Sequence, residues 1–142
     1  MPSLFLAVIA DDLDPECVSE AFGLQPSESW RKGERKSFVK KNGEIHWFRS
    51  TNKWGGWKHF FKSPRRGREL TDRELIRKMM AVGTSLNRRK ARLRALINGG
   101  HEIYLISLVQ HTSSLIIPPE LHRRLGELGI HLQIDFWPSA KK

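Results

Sequence analysis

The hydrophobic positions of this chain change period several times, and each change marks an element. Leu4 to Ile9 is a continuous apolar run closed by acids, the pattern of a strand buried on both faces. Asp14-Pro15-Glu16 then supplies an N-cap, a proline at the first helical position and an early acid. Val18, Ala21 and Phe22 share one helical face, and Gly23 stops the helix. Two strand-like runs, 34–40 and 44–50, flank Lys41-Asn42-Gly43, and Asn-Gly between such runs predicts a hairpin. The stretch 51–70 reads as a loop, punctuated by Trp54-Gly55-Gly56-Trp57 and Pro64-Arg65-Arg66-Gly67-Arg68.

Thr71-Asp72-Arg73-Glu74 is a capping box. Leu75, Met79, Val82, Leu86, Leu93 and Ile97 follow as one apolar stripe on a long helix ending at Asn98-Gly99-Gly100. Gly83-Thr84-Ser85 is the expected break in that helix, with Thr84 or Ser85 capping the second piece. Ile103 to Val109 predicts a second core strand, and Pro118-Pro119-Glu120 opens a helix carrying Leu121, Leu125 and Leu128 and stopped by Gly129. Ile130, Leu132, Ile134 and Phe136 alternate with His131, Gln133 and Asp135, so the last strand has one buried and one wet face.

The predicted order is β-α-β-β-α-β-α-β. It implies an α+β fold: one mixed, mostly antiparallel sheet with helices packed on one face, ferredoxin-like in its elements. The 142 residues suit one domain spanning 1–142, with a basic, Trp-rich hairpin and loop at 30–70.

Charge sharpens the reading. The net charge is +10, distributed unevenly: −6 over residues 1–30, +10 over 31–70 and +6 over 71–142. Such a field draws polyanions or an acidic protein surface. The single cysteine, Cys17, cannot form an internal disulfide, which favours a reducing, cytoplasmic setting. The apolar start has no basic front, so it is not read as a secretory signal. No apolar run approaches the roughly 20 residues of a membrane helix.

Two sets of residues stand out as binding groups. In the first, Trp30, Trp47, Trp54 and Trp57 interleave with Arg31, Lys32, Lys58, His59, Arg65, Arg66 and Arg68. Tryptophan and arginine dominate binding hot spots, and aromatic faces beside cations also suit nucleic acid. Trp30 and Trp47 fit half-buried positions equally well; Trp54 and Trp57, set around Gly55-Gly56, read as loop residues available to a partner. The second set is a basic helix face with Arg88, Arg89 and Arg92, which a solvated surface explains equally well.

Chemistry is less visible. Asp11, Asp12 and Asp14 lie together at a strand end, but capping and the helix dipole account for them better than a metal. Cys17 sits in a first helical turn with no reactive signature around it. The six histidines lack metal-ligand spacing, and no phosphate loop, dinucleotide fingerprint or nucleophile elbow is present. No catalytic residue, metal or cofactor is therefore expected.

A further pattern is carried by Asp11-Asp12-Leu13-Asp14-Pro15, Phe22-Gly23-Leu24-Gln25-Pro26 and Ser29-Trp30-Arg31-Lys32-Gly33-Glu34. Pro119-Glu120-Leu121, Leu128-Gly129-Ile130 and Ile134-Asp135 complete it. Together they resemble a bacterial family of uncharacterised domains, domain-of-unknown-function family 4279. The resemblance covers both ends of the chain and implies a cytoplasmic bacterial protein of mixed α/β structure without an established enzymatic activity. It also implies a place beside toxin–immunity genes, and hence an immunity or antitoxin protein. The resulting expectation is a non-catalytic module that binds an acidic protein, a toxin, through the basic Trp-rich segment. The alternative is a binder of RNA or single-stranded nucleic acid, although no Lys/Arg-Gly-Phe-x-Phe strand or Gly-x-x-Gly clamp is present.

Overall fold

The computed structural model describes residues 4–62, 71–110 and 115–137. Among these residues, seven strands and four helices run in the order β1 (Leu4–Ala10), α1 (Pro15–Phe22), β2 (Glu28–Trp30), β3 (Arg35–Val39), β4 (Ile45–Thr51), β5 (Gly55–Phe60), α2 (Asp72–Asn87), α3 (Lys90–Asn98), β6 (Glu102–Gln110), α4 (Pro119–Leu128) and β7 (His131–Trp137). Five strands make one sheet in the order β2-β5-β1-β6-β7, while β3 and β4 pair only with each other. The pairs β2·β5, β5·β1 and β1·β6 are antiparallel, and β6·β7 is parallel. The fold is α+β with a mixed, mostly antiparallel sheet, as the hydrophobic pattern implies.

The helices start and stop where their caps dictate. Asp14 accepts the Glu16 amide at 3.1 Å to open α1, and Gly23, at φ 67°, closes it in the left-handed region. Thr71 Oγ1 accepts the Glu74 amide at 3.2 Å, which is the expected N-cap bond of α2. Gly129, at φ 74°, ends α4.

One core joins the sheet to all four helices. Leu4, Leu6 and Val8 of β1 meet Ile103, Leu105 and Val109 of β6 on the same sheet face. Onto them pack Val18 and Phe22 of α1, Leu75, Met79, Val82 and Leu86 of α2, Leu93 of α3, and Leu121, Leu125 and Leu128 of α4. Burying a side chain of this size contributes about 1.5–3 kcal/mol, so this layer is the main source of stability.

Three expectations are corrected. The first concerns 51–70: within it, residues 55–60 form β5, which lies between β2 and β1 inside the main sheet. Gly55 and Gly56 are there for close approach. A Cβ on Gly55 would sit 2.7 Å from Leu13 Cβ, and one on Gly56 would collide with the Trp30 indole. The second concerns the hairpin: it forms, with Gly43 at φ 87° in its turn, but stands outside the main sheet as a separate arm.

The third concerns the long helix, which breaks at Arg88 and Arg89 rather than at Gly83-Thr84-Ser85. Gly83 is buried inside α2, where a Cβ would stand 3.4 Å from both Leu121 and Arg124 side chains, so the glycine brings α4 close. Thr84 caps nothing. Its hydroxyl donates to the Met80 carbonyl at 3.1 Å and accepts from Arg124 at 2.6 Å. The apolar stripe continues across the break because Leu93 of α3 enters the same core as Leu86 of α2.

Candidate functional site

The arm is built from its turn outward. Gly43 N–H donates to the Lys40 carbonyl at 2.9 Å, Lys40 N–H to the Glu44 carbonyl at 2.8 Å, and Asn42 Oδ1 accepts the Glu44 amide at 3.0 Å. At the root, Gly33 N–H reaches the Asn52 carbonyl at 2.9 Å, and Asn52 N–H reaches the Glu34 carbonyl at 2.8 Å. A bulge lies between Arg35 and Ser37, and the Arg35 guanidinium donates back to the Phe48 carbonyl at 2.6 Å.

This arm carries exposed apolar side chains that are not part of the core shared by the sheet and helices. Every residue of β4 is exposed, including Ile45 at 55%, Trp47 at 51% and Phe48 at 41%. Ile45 and Trp47 share one face by strand alternation, and the His46 and Phe48 rings meet edge-to-face on the other. An isolated two-stranded hairpin is marginal in water. Clustered exposed apolar side chains on a soluble surface usually mark an interaction site. Trp54, between the root of the arm and β5, is 49% exposed.

The root of the arm is tied to the first helix by ion pairs. Arg31 meets Asp14 at 3.0 Å and Lys32 meets Asp11 at 2.9 Å. These bonds occupy two of the cations that the sequence suggests for a partner. They also take up two carboxylates of the acidic cluster, so Asp11 and Asp14 work as anchor and cap. The Cys17 thiol donates to Asp14 Oδ2 at 3.3 Å. That bond, then the Glu16 amide and Arg31, hold the Asp14 carboxyl below its ordinary value; the same carboxylate pushes the Cys17 thiol up. Cys17 is exposed, but a thiol pushed up in this way is the opposite of an activated nucleophile.

The structure divides the remaining sequence-selected residues among different places. Trp57 is not a loop residue: it is fully buried in β5, stacked on Phe22 with ring centroids 5.1 Å apart, and its indole N–H donates to Ser19 Oγ at 3.0 Å. Strand alternation puts it on the helix side, so a partner cannot reach it. His59 lies on that side too, with Nδ1–H donating to the Gln25 carbonyl at 2.6 Å and its ring stacked against Trp57. Trp30 and Lys58 sit together on the opposite sheet face, the ammonium 5.7 Å from the indole centre. Arg65, Arg66 and Arg68 lie outside the described residues.

The basic helix face is also partly committed. Arg89 donates to the carbonyls of Glu20 and Ala21 at 3.3 and 3.4 Å, and Arg92 donates to Glu20 at 3.3 Å. Cations at the C-terminal end of α1 complement its dipole. Arg89 fits because position 23 is glycine: a Cβ there would strike the guanidinium. Arg88 is exposed.

Sequence reasoning missed Ile45 and Phe48 as candidate site residues. Both sit in a run that reads as an ordinary strand, and their exposure is seen only once the arm is found to pair outside the main sheet.

The arrangement defines a small mixed α+β fold that presents a basic, aromatic arm. A family model described as "Domain of unknown function (DUF4279)" matches residues 3–139, and the chain belongs to that family. No curated protein and no solved structure matches it. Among the described residues, no helix is long and apolar enough to cross a membrane.

Proposed function

We propose that this protein is a binding module that acts by occupancy, and that its arm docks on an acidic protein. The observation that carries the reading is the exposure of Ile45, Trp47, Phe48 and Trp54 on and beside a hairpin that shares no sheet with the rest of the fold. Lys36, Lys40, Lys41 and Arg49 lie on the same arm, so an apolar contact would be ringed by cations. That combination fits a partner with an apolar spot inside an acidic rim, because buried aromatic anchors supply affinity while rim charges steer encounter. A bacterial toxin is the partner class that the family resemblance brings forward, with this protein acting as its immunity or antitoxin partner. Affinity capture from source cells, before and after nuclease treatment, tests the reading. One stoichiometric protein retained after nuclease is the expected result.

The charge distribution favours a second reading, RNA or single-stranded nucleic acid. Its signature would be copurifying nucleic acid and a log–log salt slope of about −4 for six neutralised phosphates of a single strand.

A further inference from the structure

The five-stranded sheet has a second face, which no helix covers among the described residues. The strand registers place its side chains in rows. Phe60, Phe5, Ile106 and Gln133 lie across one row; Glu28, Lys58, Ala7, Tyr104 and His131 lie across the next; Trp30, Gly56, Ile9 and Glu102 lie across the third. None of these residues belongs to the core shared with the helices. Ala7 and Ile106 are nevertheless only 4% and 8% exposed, because larger neighbours rise around them.

The result is a diagonal groove of about 480 Å³. Its floor is Ala7, Ile9 and Ile106. Trp30 makes one wall by lying over Gly56, and Tyr104 makes the other, held by its hydroxyl on Glu102 at 2.7 Å and by stacking on His131 at 4.8 Å. The two ends differ in charge. Lys58 stands at one, its ammonium 5.7 Å from both the Phe5 and the Trp30 ring centres. Gln133 and Asp135 stand at the other, the Gln133 amide donating to both carboxylate oxygens at 3.2 and 3.1 Å. That pair leaves oxygen acceptors in excess. Three inter-strand spacings, about 14 Å, separate the two ends.

We propose that this groove binds a nucleoside monophosphate whose base carries an exocyclic amine. The phosphate goes to Lys58 beside the Trp30 wall, the base lies flat against the Tyr104 wall, and the amine donates to the Gln133–Asp135 end. Each part follows from a matching chemistry. A lysine serves phosphate as a point charge, aromatic faces stack nucleobases, and a carboxylate accepts from an amino group. The volume falls within the range of small-molecule sites. This site is separate from the arm and stands whether or not the arm binds a protein.

The test is titration of the purified protein with adenosine 5′-monophosphate, followed by calorimetry and by amide chemical shifts. Saturable binding is expected, with shifts on β1, β5 and β6. Ala7→Leu, which fills the floor, should abolish binding. Lys58→Ala, at a half-buried position, and Asp135→Asn, at an exposed one, should each weaken it by about tenfold, as loss of a charged contact does. Adenosine should bind about tenfold more weakly than its monophosphate, by the same argument. Trp47→Ser on the arm should bind like the wild type. Three results would overturn the proposal: no saturation up to about 1 mM, affinity unchanged in both Lys58→Ala and Asp135→Asn, or binding of a five-nucleotide oligoadenylate where the mononucleotide does not bind.

Discussion

The indole N–H of Trp57 donates to Ser19 Oγ at 3.0 Å, linking β5 to α1 across 38 residues of chain. The bond identifies Trp57 as the keystone between sheet and helix layer, with Phe22 stacked against it. Trp57→Ala should therefore destabilise the fold by about 3–5 kcal/mol, the cost of removing a large buried aromatic. Trp47→Ala should stay within about 0.5 kcal/mol, because an exposed arm residue has little packing to lose. Urea unfolding of the two variants checks the contrast, and equal losses would mean that one of the two tryptophans is misplaced.

Gly56 is required by the ring above it. Gly56→Val would drive the Trp30 indole off the sheet, and overpacking of this kind costs about 1–3 kcal/mol. The double change with Trp30→Ala should recover part of that loss. A double-mutant cycle reads the coupling directly; additive effects would show that Trp30 does not lie on Gly56.

The Cys17–Asp14 contact sets a pH dependence. The carboxylate raises the thiol above its ordinary value of 9.0, so less thiolate exists at any given alkaline pH than for a free cysteine. Alkylation of Cys17 should have a midpoint above 9.0, and Asp14→Asn should move that midpoint down by removing the charge. In acid the sign for Asp14 is the usual carboxylate one. Its depressed value gives stability that is present above the ordinary 3.8 and lost as pH falls through the folded-state value. Iodoacetamide rates across pH 7–10, measured by mass, check the thiol half of this statement. A midpoint below 9.0 would contradict it.

Ser107 is fully buried in β6, and its hydroxyl has no hydrogen-bond partner among the described residues. A buried unsatisfied hydroxyl carries a desolvation cost, so Ser107→Ala should raise stability by about 1 kcal/mol. Thermal and urea denaturation would show the gain, and a loss would mean that the hydroxyl is satisfied in solution.

Much of the fold is legible in the sequence because its signals are local. Asp14-Pro15, Gly23, the Thr71–Glu74 box and Gly129 act through backbone groups within a few residues, and each sits where its chemistry places it. Asn42-Gly43 likewise fixes the hairpin turn. The strand missed at 55–60 depends on distant partners. Gly55-Gly56 is a turn signal in isolation and becomes strand only because Leu13 and Trp30 press against it. Gly83 looks like a helix break until α4 is seen packed on it. The candidate surfaces divide the same way. The sequence locates the aromatic-basic segment, but sorting Trp57 into the core, Trp30 onto the open sheet and Trp47 onto the arm requires the register of β5 between β1 and β2.

The central claim is that the arm holds a protein partner, and capture with matched baits tests it most directly. Wild-type protein and an Ile45→Ser, Trp47→Ser double variant would each be exposed to the same nuclease-treated extract, after circular dichroism has shown that both are folded. The account predicts one stoichiometric acidic protein retained by the wild type and lost from the variant. Equal retention by both baits, or retention of nucleic acid alone before nuclease and nothing after it, would contradict the account.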